Sequence, residues 1–176
     1  MKTHKTVLIV AAACIALAGC GKKNVKEGPA GSGMESGSSA NTQPYNGSSA
    51  GGGRYLPGDL ETDSCLRQRT VYFDFDQDTL KPEFQAIVAC HAKYLRDRPE
   101  ARMRLEGNAD ERGSRQYNLG LGERRGNAVM AAVRGSGASA GQMEVVSYGE
   151  ERPVCTESNE ECWGKNRRVD ITYTSK

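Results

Sequence analysis

The chain has 176 residues, of which 37% are hydrophobic and 26% charged, and carries 24 lysines and arginines against 22 aspartates and glutamates. A net charge of +2 spread over that length leaves no basic footprint for a polyanion, so nucleic acid is excluded as a partner. The length allows one domain of ordinary size with segments left over.

The first segment reads as a leader. Lys2 and Lys5 precede an apolar run from Val7 to Leu17, too short for a helical span, which needs roughly 20 residues. A basic start, an apolar centre and small residues before Cys20 make residues 1–19 a secretory signal peptide. Its removal takes two lysines and no acid, leaving 22 basic against 22 acidic residues. Leu17-Ala18-Gly19-Cys20 resembles the bacterial lipobox. The resemblance implies cleavage before Cys20 and acyl chains on it, more than one of which is what stable anchoring requires. Gly21 stands where an aspartate would imply retention in the inner membrane. The implied location is therefore the outer membrane of a Gram-negative bacterium, facing the periplasm.

Residues 20–64 read as a flexible linker. Residues 21–58 hold 10 glycines and 6 serines, too little apolar surface to offset the entropy of ordering it. As a Gly-rich coil it has a typical reach of ~35–40 Å, and drawn straight on the order of 150 Å.

Residues 65–176 form the domain. Val71, Phe73 and Phe75 alternate with Tyr72, Asp74 and Asp76, predicting a strand with one buried face. Pro82 and Glu83 suit a first helical turn, and Phe84, Ile87, Val88, His91, Tyr94 and Leu95 share one helical face that ends before Pro99. Met103 and Leu105 mark a second strand ending at Gly107. A second helix is predicted from Ser114 to Arg134, with Leu121, Ala128, Val129, Ala132 and Val133 inward. Strands follow at Met143–Tyr148 and around Val169, Ile171 and Tyr173. The economical fold is α+β, a two-layer sandwich of two main helices on one face of a mixed four-stranded sheet. Periodicity leaves the strand order open.

Chemistry is sparse. "FDFDQDTL" (residues 73–80) imitates the aspartate pair of a metal-dependent phosphatase, but Gln77 and Asp78 stand where a single glycine would, and no later Gly-Asp-x-x-x-Asp pattern follows. It also imitates a calcium loop, yet Thr79 replaces the required glycine and Gln85 the bidentate glutamate. Beyond the leader the one histidine, His91, lies on the apolar helix face, a core position. No catalytic residue, metal site or cofactor is expected. Cys65, Cys90, Cys155 and Cys162 contain no Cys-x-x-Cys pair, which argues against structural zinc, and an even count in an oxidising compartment favours disulfides. Of three connectivities, the preferred one joins Cys155 to Cys162 across "CTESNEEC" and Cys65 to Cys90, free thiols being the alternative.

The candidate site lies in "EGNADERGSRQYNLGLGERRGNAV", residues 106–129. An acid and an arginine brought together there could hold the two ends of a zwitterion, the carboxylate taking an ammonium and the guanidinium a carboxylate as a bidentate fork. Asp110 and Arg125 have an alternative use, a structural ion pair with each other.

Asp110, Gly113, Asn118, Leu121 and the pair Arg124-Arg125 resemble the outer-membrane-protein-A-like peptidoglycan-binding domain. "VYFDFD", "EGNADERG", "LGERR", "VSYGEERP" and "NRRVDI" carry the resemblance from Val71 to the C-terminus. It implies a non-catalytic lipoprotein that anchors the outer membrane to peptidoglycan by binding diaminopimelate in the stem peptides. Asp110 and Arg125 would grip that residue, Phe75, Asp76 and Asn108 would line the pocket, Asn118 would shape the loop, and Leu121 would pack beneath. Asn108 stands where many relatives have histidine, and Gly122 where serine is common. The resemblance further implies binding of TolB within the Tol–Pal system that acts in division, with Glu111, Arg112, Tyr148, Glu150 and Arg152 as exposed contact candidates. Another wall-binding lipoprotein without a Tol partner is the alternative. Lys165, Arg167 and Arg168 read as a basic cluster near wall glycans, and Trp163 as packing on the Cys162 disulfide.

Overall fold

The computed structural model describes residues 53–176. The leader, Cys20 and residues 20–52 of the expected linker lie outside the described residues. No helix among the described residues is long and apolar enough to cross a membrane.

Four strands form one mixed sheet: β1 (Thr70–Tyr72), β2 (Arg102–Asn108), β3 (Met143–Gly149) and β4 (Arg168–Ser175), in the order β1-β4-β2-β3. β4 is antiparallel to β1 and to β2, while β2 and β3 are parallel. Three strands therefore point the same way, and the segments that leave them gather at one end of the sheet. The segment that leads into β4 arrives at that same end. This is how residues near 75, 110, 150 and 167 become neighbours.

Two helices cover the sheet. A short turn, Pro82–Phe84, leads into α2 (Gln85–Asp97), which buries Val88, Ala92 and Leu95. α3 (Arg115–Gly135) starts at Ser114, whose hydroxyl accepts the Tyr117 N–H at 3.2 Å, an N-cap worth about 1 kcal/mol. Its buried stripe runs Asn118, Leu121, Gly122, Arg125, Gly126, Val129 and Val133, the spacing of one helical face. Of these, Val129 and Val133 pack with Val71, Phe73, Met103, Leu105, Val169 and Ile171 in a single core. The glycines set how close α3 comes to β2. A Cβ on Gly107 would fall 1.9 Å from the Gly122 carbonyl oxygen, and one on Gly122 2.4 Å from the Ser147 hydroxyl. Gly122, which stands where serine is common among relatives, is thus where helix and strand backbones touch.

His91, on the inner face of α2, is fully buried. The Gln68 carbonyl, 3.0 Å from Nε2, can only accept, so Nε2 carries the ring proton, and Nδ1 accepts the Tyr173 hydroxyl at 2.9 Å. Burial lowers its pKa to about 4, so it is neutral in the folded chain.

The structure departs from the sequence reading at four places. The domain begins before Cys65: Leu60 in α1 (Asp59–Thr62) is fully buried, Tyr55 packs on Tyr94 at 6.0 Å, and the Tyr55 N–H donates to Asp97 at 2.9 Å. Two anchoring side chains inside a Gly/Ser-rich stretch leave no period to read. The first strand stops at Tyr72; Phe73 stays buried, but Phe75 is 54% exposed, because the chain turns and Asp76 adopts a left-handed φ of 55°. A further helix, α4 (Glu160–Asn166), carries Cys162 of the Cys155–Cys162 bridge and is capped by Asn159, which accepts the Cys162 N–H at 3.0 Å. Seven residues without an apolar stripe give no helical signature. Finally, Lys165, Arg167 and Arg168 are not a free basic cluster. Arg167 and Arg168 are buried and paired with Asp110, Glu160 and Asp170, and Lys165 pairs with Glu161. Both preferred disulfides, Cys65–Cys90 and Cys155–Cys162, are formed.

Candidate functional site

A cavity of about 180 Å³ opens at the gathered end of the sheet, lined by Phe75, Asp76, Asp110, Arg112, Gly113, Tyr117, Asn118, Leu121 and Arg125. It is smaller than the roughly 300–1,000 Å³ of drug-sized pockets and suits one end of an amino acid. Two carboxylates and two guanidiniums line it, so it is dipolar rather than charged overall.

Asp110 sits just past β2 and is 3% exposed. Burial works to raise its pKa, and hydrogen bonds from Arg112 and Arg167 outweigh that effect, holding the carboxyl below its ordinary value. The alternative use of the two residues, an Asp110–Arg125 ion pair, does not form. Arg125, fully buried on α3, instead donates to three carbonyls: Gln77 at 2.8 Å, Asn108 at 2.9 Å and Asp74 at 3.1 Å. It thereby binds the loop after β1 and the end of β2 to the helix. Of its five N–H groups, the two remaining ones can still serve a carboxylate. Burial lowers its pKa to about 10, which leaves it charged at neutral pH.

The other sequence candidates divide. Asp76 accepts a hydrogen bond from the Tyr117 hydroxyl, Asn118 donates to Glu150, and Leu121 forms part of the floor. Asp74 pairs with Lys81 at 2.7 Å, away from the lining. Asn108 does not line the cavity. Its side chain turns inward to the Glu106 carbonyl at 2.9 Å, and it supports the site only through its own carbonyl on Arg125. Sequence reasoning missed Tyr117, which lies one helical turn before Leu121, the signal available for it. It also assigned Arg112 to an outer surface, whereas Arg112 lines the cavity.

Of the residues expected on an exposed docking surface, Glu111 and Arg152 are exposed, while Arg112, Tyr148 and Glu150 are half-buried. Arg152 lies over the Tyr148 ring at 3.5 Å. The Trp163 Nε1–H donates to Glu111 at 3.1 Å, and the Arg112 guanidinium lies 4.1 Å from its ring. Among the described residues no group of three or more His, Cys, Asp or Glu is placed to hold a metal.

An α+β sheet with a small dipolar cleft at its end defines a binding module. The OmpA family model matches residues 72–167. The chain is similar to the peptidoglycan-associated lipoprotein of Pseudomonas putida, 40% identical over 172 residues and 97% of each chain. It is 37% identical to that of Haemophilus influenzae, over 94% of this chain and 95% of the relative. The crystal structure of the peptidoglycan-associated lipoprotein from Burkholderia pseudomallei superposes with a TM-score of 0.64 at 42% identity, covering 65% of this chain and 98% of that one. The C-terminal domain of MotB from Helicobacter pylori shares the fold alone, with a TM-score of 0.55 at 20% identity. The chain therefore belongs to the OmpA family, and within it to the peptidoglycan-associated lipoproteins. It is a binding protein and not an enzyme.

Proposed function

We propose that the chain is an outer-membrane lipoprotein, anchored through acylated Cys20 and facing the periplasm. Its domain holds the membrane to peptidoglycan by binding the zwitterionic end of diaminopimelate in the stem peptide. The observation that carries the reading is the cleft itself, which both Asp110 and Arg125 line and which is sized for an amino-acid end. The names of its relatives, peptidoglycan-associated lipoproteins, support the same ligand. Asp110 takes the ammonium, and the two unspent N–H groups of Arg125 take the carboxylate. Phe75, Asp76, Asn118 and Leu121 shape the space, and Asn108 braces Arg125 from behind.

The second part of the proposal is partnership with TolB in the Tol complex, which acts in envelope integrity and division. Glu111, Arg112, Tyr148, Glu150 and Arg152 flank the cleft, so TolB and the wall would compete for one face. Co-sedimentation of the detergent-solubilised full chain with diaminopimelate-type sacculi tests the first part. The wild type is expected in the pellet and Asp110→Ala in the supernatant; a folded Asp110→Ala that pellets equally well sinks the clamp. Added TolB should release the wild type from sacculi, and failure to do so removes the Tol partnership while leaving wall binding intact.

A further inference from the structure

Asp110 is fully engaged without a ligand. Its Oδ1 accepts the backbone N–H of Arg112 at 3.1 Å and the Arg112 Nε–H at 3.2 Å; its Oδ2 accepts Arg112 Nη2 at 2.6 Å and Arg167 Nη1 at 3.2 Å. A carboxylate has about four acceptor positions, so none is left for an incoming ammonium.

The two arginines on it differ. Arg167 is buried and fixed, since its other N–H groups donate to the Phe73 carbonyl at 3.0 Å and to Glu160 at 2.6 Å. Arg112 is half-buried in the cavity wall, on a loop that turns at Gly113, where φ is 115°. Its guanidinium packs on two rings, Phe75 at 4.0 Å and Trp163 at 4.1 Å. Its Nη1 already lies 3.5 Å from Glu160, an exposed carboxylate on α4. One arginine is part of the frame, and the other has somewhere to go.

We infer that Arg112 is a latch on the site, an inference resting on the reading of the cleft as a zwitterion pocket. In the empty chain its guanidinium stands in for the ligand ammonium on Asp110. A ligand enters by replacing it, and Arg112 moves outward to Glu160. The exchange is close to balanced, because Asp110 trades one cation for another and Arg112 keeps an anionic partner. It also sets specificity. Only a charged amine replaces a guanidinium on Asp110, so an acylated amine, as in a cross-linked stem peptide, leaves the latch closed.

Trp163 is the only tryptophan in the chain, so its fluorescence reports the guanidinium beside it. The test titrates the detergent-solubilised full chain with free meso-diaminopimelate, reading affinity by calorimetry and latch position by Trp163 emission. The N,N′-diacetyl derivative serves as the uncharged control. In the wild type, meso-diaminopimelate should bind and shift the emission, and the diacetyl derivative should do neither. Arg112→Ala should bind about tenfold tighter, the gain from removing a closed state populated about ten to one, with no ligand-induced shift. Arg112→Lys, which keeps the charge but loses the fork and the flat face, should fall between and covers the case in which the alanine variant does not fold. Asp110→Ala should not bind. Equal or weaker binding by both folded Arg112 variants overturns the latch alone, as does bound ligand that leaves wild-type emission unmoved. If no folded variant and no wild type binds meso-diaminopimelate, the zwitterion reading falls and takes the latch with it.

Discussion

Acid should destabilise this domain through His91. The imidazole has no exposed surface, and its two nitrogens are committed to the Gln68 carbonyl and the Tyr173 hydroxyl. A second proton would have to sit on Nδ1, where the Tyr173 hydrogen now points. The nearest charges that act on the ring are Arg69, which opposes protonation, and Asp63, which favours it; burial outweighs both and lowers the pKa from 6.5 to about 4. Below pH 6.5 the unfolded chain takes up a proton that the folded chain refuses until about pH 4. The unfolded state thus binds more protons throughout that window, and stability falls as pH drops through it. At 1.36 kcal/mol per pKa unit, the loss is about 2 kcal/mol at about pH 5 and about 3 kcal/mol at about pH 4. Denaturant melts of the wild type and His91→Gln across that range isolate the effect, since the variant lacks the titrating group but shares every other one. The only other histidine is His4 in the leader, so the imidazole signals can also be followed directly by NMR. Parallel pH profiles for the two proteins, or a His91 signal that titrates near 6.5, would refute the reasoning.

Three further outcomes follow from packing and covalent ties. Gly107→Ala forces a Cβ into the Gly122 carbonyl, 1.9 Å away, and should cost about 3 kcal/mol in denaturant melts, at the upper end of overpacking costs. The Cys65–Cys90 bond closes a separation of 25 residues and Cys155–Cys162 one of 7. Chain-entropy arithmetic gives roughly 3.5 and 2.5 kcal/mol, so the double serine variant of the first pair should melt at the lower denaturant concentration. Asn159→Ala removes the cap of α4 and should lower stability by about 1 kcal/mol, with a visible change in Trp163 emission because Trp163 rides on that helix.

The parts of the fold that were legible are those with a period. α3 was expected from Ser114 to Arg134 and spans Arg115–Gly135, because its cap, its apolar spacing and the glycines after it all agree. β3 and β4 declared themselves by alternation. Strand order did not, since insertion of β4 between β1 and β2 depends on long-range pairing that no local pattern encodes. The core role of Leu60 was hidden for a different reason: one buried side chain in a polar segment has no neighbours in sequence to reinforce it. At the site, motif resemblance named Asp110, Asn118, Leu121 and Arg125, and the fold brings them to one cleft. What charge alone suggested for Arg125, a pairing with Asp110, failed because three backbone carbonyls claim it first. Arg112 was visible as a charge but not as a cavity wall, because its position depends on Phe75 and Trp163, far away in the chain.

The placement of Tyr55 has a mechanical consequence. The chain joins the domain where Arg54 and Tyr55 are tied to Asp97, at the end of α2 that leads into the start of β2. The cleft lies past the other end of β2, seven residues or about 20 Å further on. With the anchoring proposed above, a pull between the membrane and a gripped ligand would run along the strands rather than across them. Under that direction of force the β2–β4 and β2–β3 ladders are loaded in shear, so many hydrogen bonds must yield together instead of opening one at a time like a zipper. With the anchoring proposed above, the contacts of Arg54 and Tyr55 with Asp97 would take that load first.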